Sequence, residues 1–175
     1  MKIFLTAIIC LLLCVPAFAD QQTTVLTDQV KLEKAAAQVP FIDGSNDVTL
    51  EKNANMLLRD RAKKLVNEVG GAGEVTYKVM LNRPSIISVL LTAKNGGKTV
   101  YDGINIDLTT GREFTVTDFF IDNDKVKSAL GDYGFVLFGE DGFYVQNDKY
   151  ASYEKHVPYT GLLDSMRIGE AGRLM

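Results

Sequence analysis

The chain has 175 residues, of which 46% are hydrophobic and 23% are charged, and its formal net charge is −3. This composition is typical of a globular domain and excludes a disordered chain. The 19 basic and 22 acidic residues are interspersed. The sequence therefore predicts neither a nucleic-acid partner nor attraction to an anionic lipid surface.

Residues 1–19 have the pattern of a secretory signal peptide. Lys2 supplies a positive charge, residues 3–15 form an apolar run, and Ala17-Phe18-Ala19 is the small-residue pattern that signal peptidase recognises. We expect cleavage after Ala19, which makes the protein extracytoplasmic, either periplasmic or secreted, with no membrane span after cleavage.

Two alternatives exist for this leader. A membrane anchor would need ~20 apolar residues, and the run here is shorter. A lipoprotein signal would use Cys14, but Leu13 stands where a small residue is expected. Cys10 and Cys14 both lie in the leader, so the mature chain has no thiol. A disulfide scaffold and a cysteine-based zinc site are therefore excluded.

The beginning of the mature chain predicts little regular structure. Residues 20–34 are polar, and residues 20–38 are predicted to be an N-terminal segment with one weak strand. Residues 35–42 continue as an extended stretch, and Pro40 indicates a sheet edge because proline has no N–H to donate to a neighbouring strand.

A long helix is predicted over residues 48–69. Its apolar residues recur at intervals of three and four, which draws one stripe along the helix. Asp47 or Thr49 can cap its start, and the glycines of residues 70–73 end it. The charged face is predicted to be solvated, so the stripe must pack on a broad surface such as a sheet. The stripe consists of Leu50, Ala54, Leu57, Leu58, Ala62, Leu65 and Val69.

Alternating apolar residues separated by tight turns predict strands after this helix. The predicted fold class is α+β, with a mainly antiparallel sheet of five to seven strands and one long helix packed on it. Strands are predicted at residues 74–81, 85–93, 99–108, 113–117, 135–138, 143–145 and 156–159, and short helical segments at 125–130 and 162–166.

Several of these stretches resemble one known family. Pro40-Phe41-Ile42-Asp43-Gly44, residues 105–120 and residues 135–150 are similar to the PdaC/RsiV-like extracytoplasmic domain of unknown function. That domain occurs in bacterial cell-wall deacetylases and in a lysozyme-sensing anti-sigma factor. The resemblance implies an accessory role in the cell envelope and two lobes: a helix-and-sheet lobe at 39–120 and a smaller lobe at 121–166, followed by a tail at 167–175.

The single histidine, His156, is interpreted as a strand-end residue. Its neighbours Asp148 and Glu154 do not form a metal-ligand spacing. An acid–base role would require a nucleophile and an orienting carboxylate that only the fold could bring together.

The acidic residues also have simple interpretations. The run from Asp118 to Asp124 lacks the glycine of a calcium loop, and helix capping by Asp122 or Asp124 explains it. Glu140 and Asp141 are adjacent in a turn and point apart, unlike the opposed carboxylates of a glycosidase. The sequence thus predicts no catalytic residue, no metal site and no cofactor.

Three late tyrosines are the candidate ligand contacts. Tyr144, Tyr150 and Tyr153 fall in polar or looped sequence, and an exposed tyrosine offers an apolar face together with a hydroxyl group. The alternative is packing in a satellite core. We expect a non-catalytic binding domain that contacts an envelope protein or peptidoglycan through the loops between residues 144 and 155.

Two rival functions stay open at this point. One is a cell-wall hydrolase, which would bring two or more carboxylates from separate strands into one apolar-walled cleft. The other is a structural envelope protein that self-associates through a sheet edge.

Overall fold

The computed structural model describes residues 23–45, 47–121, 123–150, 155–167 and 169–174. The predicted leader, Asp122, Tyr153 and Glu154 lie outside these residues. The strands are β1 (Thr24–Leu32), β2 (Lys34–Asp43), β3 (Ala72–Arg83), β4 (Ile86–Asn95), β5 (Lys98–Asp107), β6 (Arg112–Glu113), β7 (Phe135–Phe138), β8 (Gly142–Gln146) and β9 (Lys155–Pro158). The helices are α1 (Val48–Glu68), α2 (Asn123–Leu130) and α3 (Glu170–Leu174), with 3-10 turns at Val116–Phe119 and Leu163–Ser165.

The long helix α1 forms as its sequence predicts. The Asp47 carboxylate accepts hydrogen bonds from the backbone N–H groups of Thr49 and Leu50, which satisfies two donors of the first turn. The helix ends where Gly70 and Gly71 adopt positive φ angles. Most of the predicted stripe is buried against the sheet, while Leu50 and Leu57 are half-buried. The α+β prediction is confirmed.

The larger sheet has six strands in the order β1-β2-β3-β4-β5-β6. Its pairs are antiparallel except β2 with β3, which run parallel because α1 forms the crossover between them. The N-terminal segment is more regular than the single weak strand predicted for it. Its two strands form a complete hairpin from Thr24↔Asp43 to Leu32↔Ala35.

The prediction that Pro40 lies on an edge strand is wrong, because β2 is an inner strand of the sheet. At Pro40 itself, however, β2 is paired on one side only. β2 lies between β1 and β3, yet its pairing with β3 covers only the stretch from Lys34 to Ala37. Beyond that point the inner edge of β2 is met by α1, because the Asn55 side chain bonds both N–H and C=O of Ile42. Proline at position 40 thus removes no ladder hydrogen bond.

The central strand β4 is buried on both faces, as its dense apolar sequence predicts. One face packs against α1 through Val89 and Leu91. A β-bulge between Val79 and Leu81 changes the alternation of β3. Met80 and Leu81 consequently join clusters away from α1, whereas Val75 packs with α1.

A second sheet, β7-β8-β9, packs on the face of the larger sheet opposite α1. A buried polar chain joins the two sheets: Ser88 Oγ donates to Asn105 Oδ1 (2.6 Å), Asn105 Nδ2 donates to Val136 O (2.7 Å), and Phe138 N–H donates to Ser88 Oγ (3.0 Å). The described residues therefore stack as helix, six-stranded sheet and small sheet. No helix among them is long and apolar enough to cross a membrane.

Two predictions near the C-terminus differ from the structure. The strand predicted at 113–117 is reduced to the two residues of β6, after which the chain turns into a 3-10 helix capped by Thr115 and Asp118. The predicted tail contains α3, whose Leu174 is buried and whose Arg173 bonds the carbonyl oxygen of Ser85.

Candidate functional site

The structure places the two described candidate tyrosines in different surroundings. Tyr144 lies in β8, half-buried against Met80, Leu90 and Leu137, with its ring 4.9 Å from that of His156. Tyr150 is 54% exposed and borders an open depression. Of the predicted contacts, Tyr150 therefore marks a surface cavity, and Tyr144 contributes to packing.

That depression has a volume of about 360 Å³ and lies where the second half of α1 meets the loop after β8. A second depression of about 250 Å³ adjoins it and shares Asp102, Gly134 and Phe135 with it. We call the two together the aromatic cleft. Its aromatic walls are Tyr101, Phe114, Tyr133, Phe135 and Tyr150, and its charged walls are Arg61, Lys64, Glu68, Asp102, Glu113, Asp148 and Lys149.

Arg61 is the centre of the charged wall. Its guanidinium nitrogens lie 3.1 Å from Asp102 Oδ2 and 2.5–2.6 Å from the two oxygens of Glu113. The Arg61 side chain is 26% exposed and that of Asp102 15%, so these charges are largely withdrawn from water. Partial burial opposes the charged form of Arg61, but the bonds to Glu113 and Asp102 outweigh it and raise the pKa of the guanidinium.

These three groups come from three elements, α1, β5 and β6. The sequence analysis did not single them out because their convergence depends on the fold. One signal was present: Arg61 lies four residues from both Leu57 and Leu65, in the line of the apolar stripe. A charged side chain at such a position is directed toward the sheet, where it is partly buried and needs a partner of opposite charge.

Gly103 sets the depth of the aromatic cleft. A Cβ atom at this position would overlap the ring of Phe135 and approach Leu137. The absence of a side chain lets β7 lie directly on β5, which brings Phe135 to the floor between the two depressions. Glycine is needed here because a side chain would have no space, and not because of the backbone conformation, since Gly103 has no positive φ angle.

The loop bearing Tyr150 is held in place through Lys149, by both its backbone and its side chain. Tyr101 N–H donates to Lys149 O (2.8 Å), and Lys149 Nζ lies 2.8 Å from Glu68 Oε2 on α1. The hydrogen bond from Lys149 to Glu68 raises the pKa of this exposed ammonium group. Tyr150 N–H donates to Asp148 Oδ1 (2.9 Å), so the Tyr150 backbone is oriented locally as well.

The other sequence candidates do not line the aromatic cleft. His156 Nε2 lies 3.0 Å from Asp141 Oδ1, and Glu140 pairs instead with Arg83, so the adjacent carboxylates have separate partners. Asp118 caps a 3-10 turn. In the part of the chain that the structure describes, no three His, Cys, Asp or Glu side chains are grouped as a metal site would need.

Comparison with known proteins identifies the fold. No family model matches the sequence, and no curated protein matches it. The structure is similar to a crystal structure of a DUF3298 family member from Bacteroides fragilis, with a TM-score of 0.51 and 11% identity, over 87% of this chain and 95% of that chain. A DUF3298 family protein from Pseudomonas aeruginosa gives a TM-score of 0.49 and 10% identity, over 85% and 95% of the two chains. At this identity the likeness shows a shared fold, and the PdaC/RsiV-like assignment stays a prediction.

Proposed function

We propose that this protein is a non-catalytic binding domain of the bacterial cell envelope that holds a cell-wall glycan in the aromatic cleft. The observation that carries this proposal is the composition of the cleft, which combines five aromatic side chains with charged groups, several of them held by ion pairs. The extracytoplasmic location is supported by the apolar leader in the sequence.

The cleft suits a sugar better than an apolar ligand or an anion. Sugar rings present apolar C–H faces that pack on aromatic rings, and the exposed Tyr150 with half-buried Tyr101 and Phe135 offers such surfaces. The edges of a sugar carry hydroxyl groups, which pair with carboxylates and ammonium groups such as Asp148 and Lys149. Because the cleft is open to solvent, it suits a short stretch of a chain rather than a buried small molecule.

One observation favours the rival hydrolase. Asp102 and Glu113 arise from different strands and meet in one partly aromatic cleft, as a carboxylate-dependent enzyme would require. Both carboxylates, however, are bonded to the same guanidinium of Arg61. A glycosidase needs one carboxyl group free to deliver a proton to the leaving oxygen, so this arrangement supports binding over hydrolysis.

The test is a titration of the protein with soluble peptidoglycan fragments, in which binding is measured by calorimetry. The full-length sequence is expressed in a bacterial host, and the released protein is first checked by mass spectrometry, which is expected to show a start at Asp20. We expect Tyr150→Ala to weaken glycan binding about tenfold or more, the loss typical of an aromatic contact residue. The control is Leu163→Ala, which removes an apolar side chain of similar exposure outside the cleft.

Four results would contradict the proposal. Wild-type protein could fail to bind any fragment, or Tyr150→Ala could bind as well as wild type. Release of shortened glycan, lost on Asp102→Asn, would instead establish the hydrolase. A mass spectrum that begins at Met1 would contradict the predicted export.

A further inference from the structure

A second cavity, separate from the aromatic cleft, lies between the first half of α1 and the β1-β2 hairpin. It has a volume of about 350 Å³. We call it the hairpin groove. Its walls are mainly apolar, and its rim is charged. The apolar members are Val39, Pro40, Phe41, Val48 and Met56, and the polar members are Asp28, Glu51, Lys52, Asn55 and Arg59.

Four apolar side chains around this groove are exposed to solvent. Val48 is 76% exposed, Met56 54%, Leu26 46% and Phe41 38%. Leu26 and Phe41 are direct partners in the β1-β2 register, so they form one cross-strand pair at the mouth of the groove. A clustered apolar patch with a polar rim is typical of a protein contact surface.

Most charged side chains on the rim have no partner in the part of the chain that the structure describes. Among the described residues, the side chains of Asp28, Lys52 and Arg59 make no hydrogen bond or ion pair, and Glu51 uses one oxygen to accept from Ser45 N–H (3.1 Å). The aromatic cleft differs in this respect, because its central arginine is fully engaged by its own chain.

The rim charges are also arranged by sign along α1. Glu51 precedes Met56 and Arg59 follows it, with about 12 Å of helix between the two charges at 1.5 Å per residue. If two α1 helices cross antiparallel near Met56, Glu51 of each copy lies opposite Arg59 of the other. A two-fold axis repeats each contact, so the same arrangement pairs both copies of Glu51 with both copies of Arg59.

We propose that the hairpin groove is the interface of a symmetric homodimer. Met56 and Phe41 of each copy fill the apolar part of the other, and the Glu51–Arg59 pairs set the antiparallel register. A second copy fits the rim better than a basic or an acidic partner would, because the rim carries both signs and is complementary to itself. This proposal is independent of glycan binding, since the two surfaces share no lining residue.

The test is the molar mass of the full-length expression product by sedimentation velocity, over a wide range of protein concentrations. We expect a reversible monomer–dimer equilibrium. The charge reversals E51R and R59E should each raise the dimer dissociation constant about tenfold, since like charges then face each other twice. The double variant E51R/R59E should recover dimerisation, and an equimolar mixture of the two single variants should form a mixed dimer.

The recovery by the double variant separates a specific interface from loss of folding, and thermal unfolding of each single variant at dilute concentration checks the fold directly. A protein that stays monomeric at all concentrations overturns the proposal. So does a dimer that neither reversal weakens. Binding of the monomer to phosphatidylglycerol vesicles or to an added amphipathic peptide, abolished by Met56→Lys, would assign the groove to another occupant and also overturn it.

Discussion

Arg61 shows how one side chain connects three elements. It extends from α1 and bonds Asp102 of β5 and Glu113 of β6, which fixes the helix over the edge of the sheet that the aromatic cleft occupies. Because the Asp102 side chain is only 15% exposed, loss of the cation would leave its carboxylate without this partner in a poorly solvated place.

Arg61→Gln should therefore lower the free energy of unfolding by about 1–3 kcal/mol, the range for hydrogen bonds to charged groups that are partly desolvated. The matched control is Lys63→Gln on the same helix, whose exposed side chain should change the stability by less than about 0.5 kcal/mol. Chemical denaturation followed by circular dichroism measures both. Equal effects at positions 61 and 63 would show that the ion pairs contribute nothing.

Tyr159 is a second residue whose chemistry follows from its position. Its hydroxyl is buried and donates to Gly139 O (2.7 Å), beside Glu140 and Asp141. Burial disfavours the charged phenolate and raises the pKa of Tyr159 well above its ordinary value. The folded protein thus keeps this proton at a pH where the unfolded chain has lost it.

The free energy of unfolding should accordingly fall as the pH rises above about 10, by up to ~1.4 kcal/mol per pH unit from this group. In Tyr159→Phe the contribution is absent, so the alkaline decline should be shallower, although hydrogen-bond loss lowers stability by about 1 kcal/mol at neutral pH. Denaturant unfolding between pH 9 and roughly 12 gives the slope. Tyr150→Phe, at an exposed site, should follow wild type; parallel declines in all three proteins would contradict this account.

At the scale of elements, the close contact of β5 with β7 determines whether the aromatic cleft exists. Gly103 gives the clearance for Phe135 and Leu137, and the Ser88–Asn105 chain binds the same two layers a short distance away. An inserted methyl group at position 103 would have to move β7, since the obstructing atoms belong to packed side chains.

Gly103→Ala should lower the free energy of unfolding by about 1–3 kcal/mol, as overpacking of a well-filled contact does. Gly97→Ala is the matched control, because position 97 in the β4-β5 turn has no atoms within 4 Å of the added carbon. Thermal unfolding compares the two variants. If Gly103→Ala is as stable as Gly97→Ala, the tight contact between the sheets is not a feature of the protein.

The elements differ in how far the sequence determines them. The helix α1 and the β4-β5 hairpin were predicted correctly because their signals are local: a 3.6-residue period in one case and Gly96-Gly97 between two apolar runs in the other. The parallel pairing of β2 with β3 was not predicted. Residues 35–37 of β2 are alanines, which favour a strand poorly, and their partners lie across α1.

Of the residues that line the aromatic cleft, the sequence analysis predicted only Tyr150 as a ligand contact. Tyr150 could be recognised because an aromatic residue in a polar loop is conspicuous in sequence. Arg61, Asp102 and Glu113 could not be grouped in advance, since they converge through the register of β5 with β6 and the docking of α1. Tyr144 has the same sequence character as Tyr150, and only the pairing of β8 with β9 shows that its ring packs inward.

At the scale of the whole molecule, α1 borders two different surfaces. Its first half lines the hairpin groove, and its second half lines the aromatic cleft. The six-stranded sheet supports both surfaces, while the small sheet borders the cleft through Phe135, Val136 and the loop after β8. A dimer formed through the groove would leave both clefts open, so that one assembly could hold two sites on a glycan and gain avidity.

The central claim is that the aromatic cleft holds the glycan. Its most direct test is a two-dimensional NMR titration of the labelled protein with soluble peptidoglycan fragments. The account predicts amide shifts confined to the cleft, at Tyr101, Phe135 and residues 147–150, with the β1-β2 hairpin unchanged. Shifts that instead cluster at His156 and Asp141 or along the hairpin groove, or no shifts at saturating fragment, would contradict it.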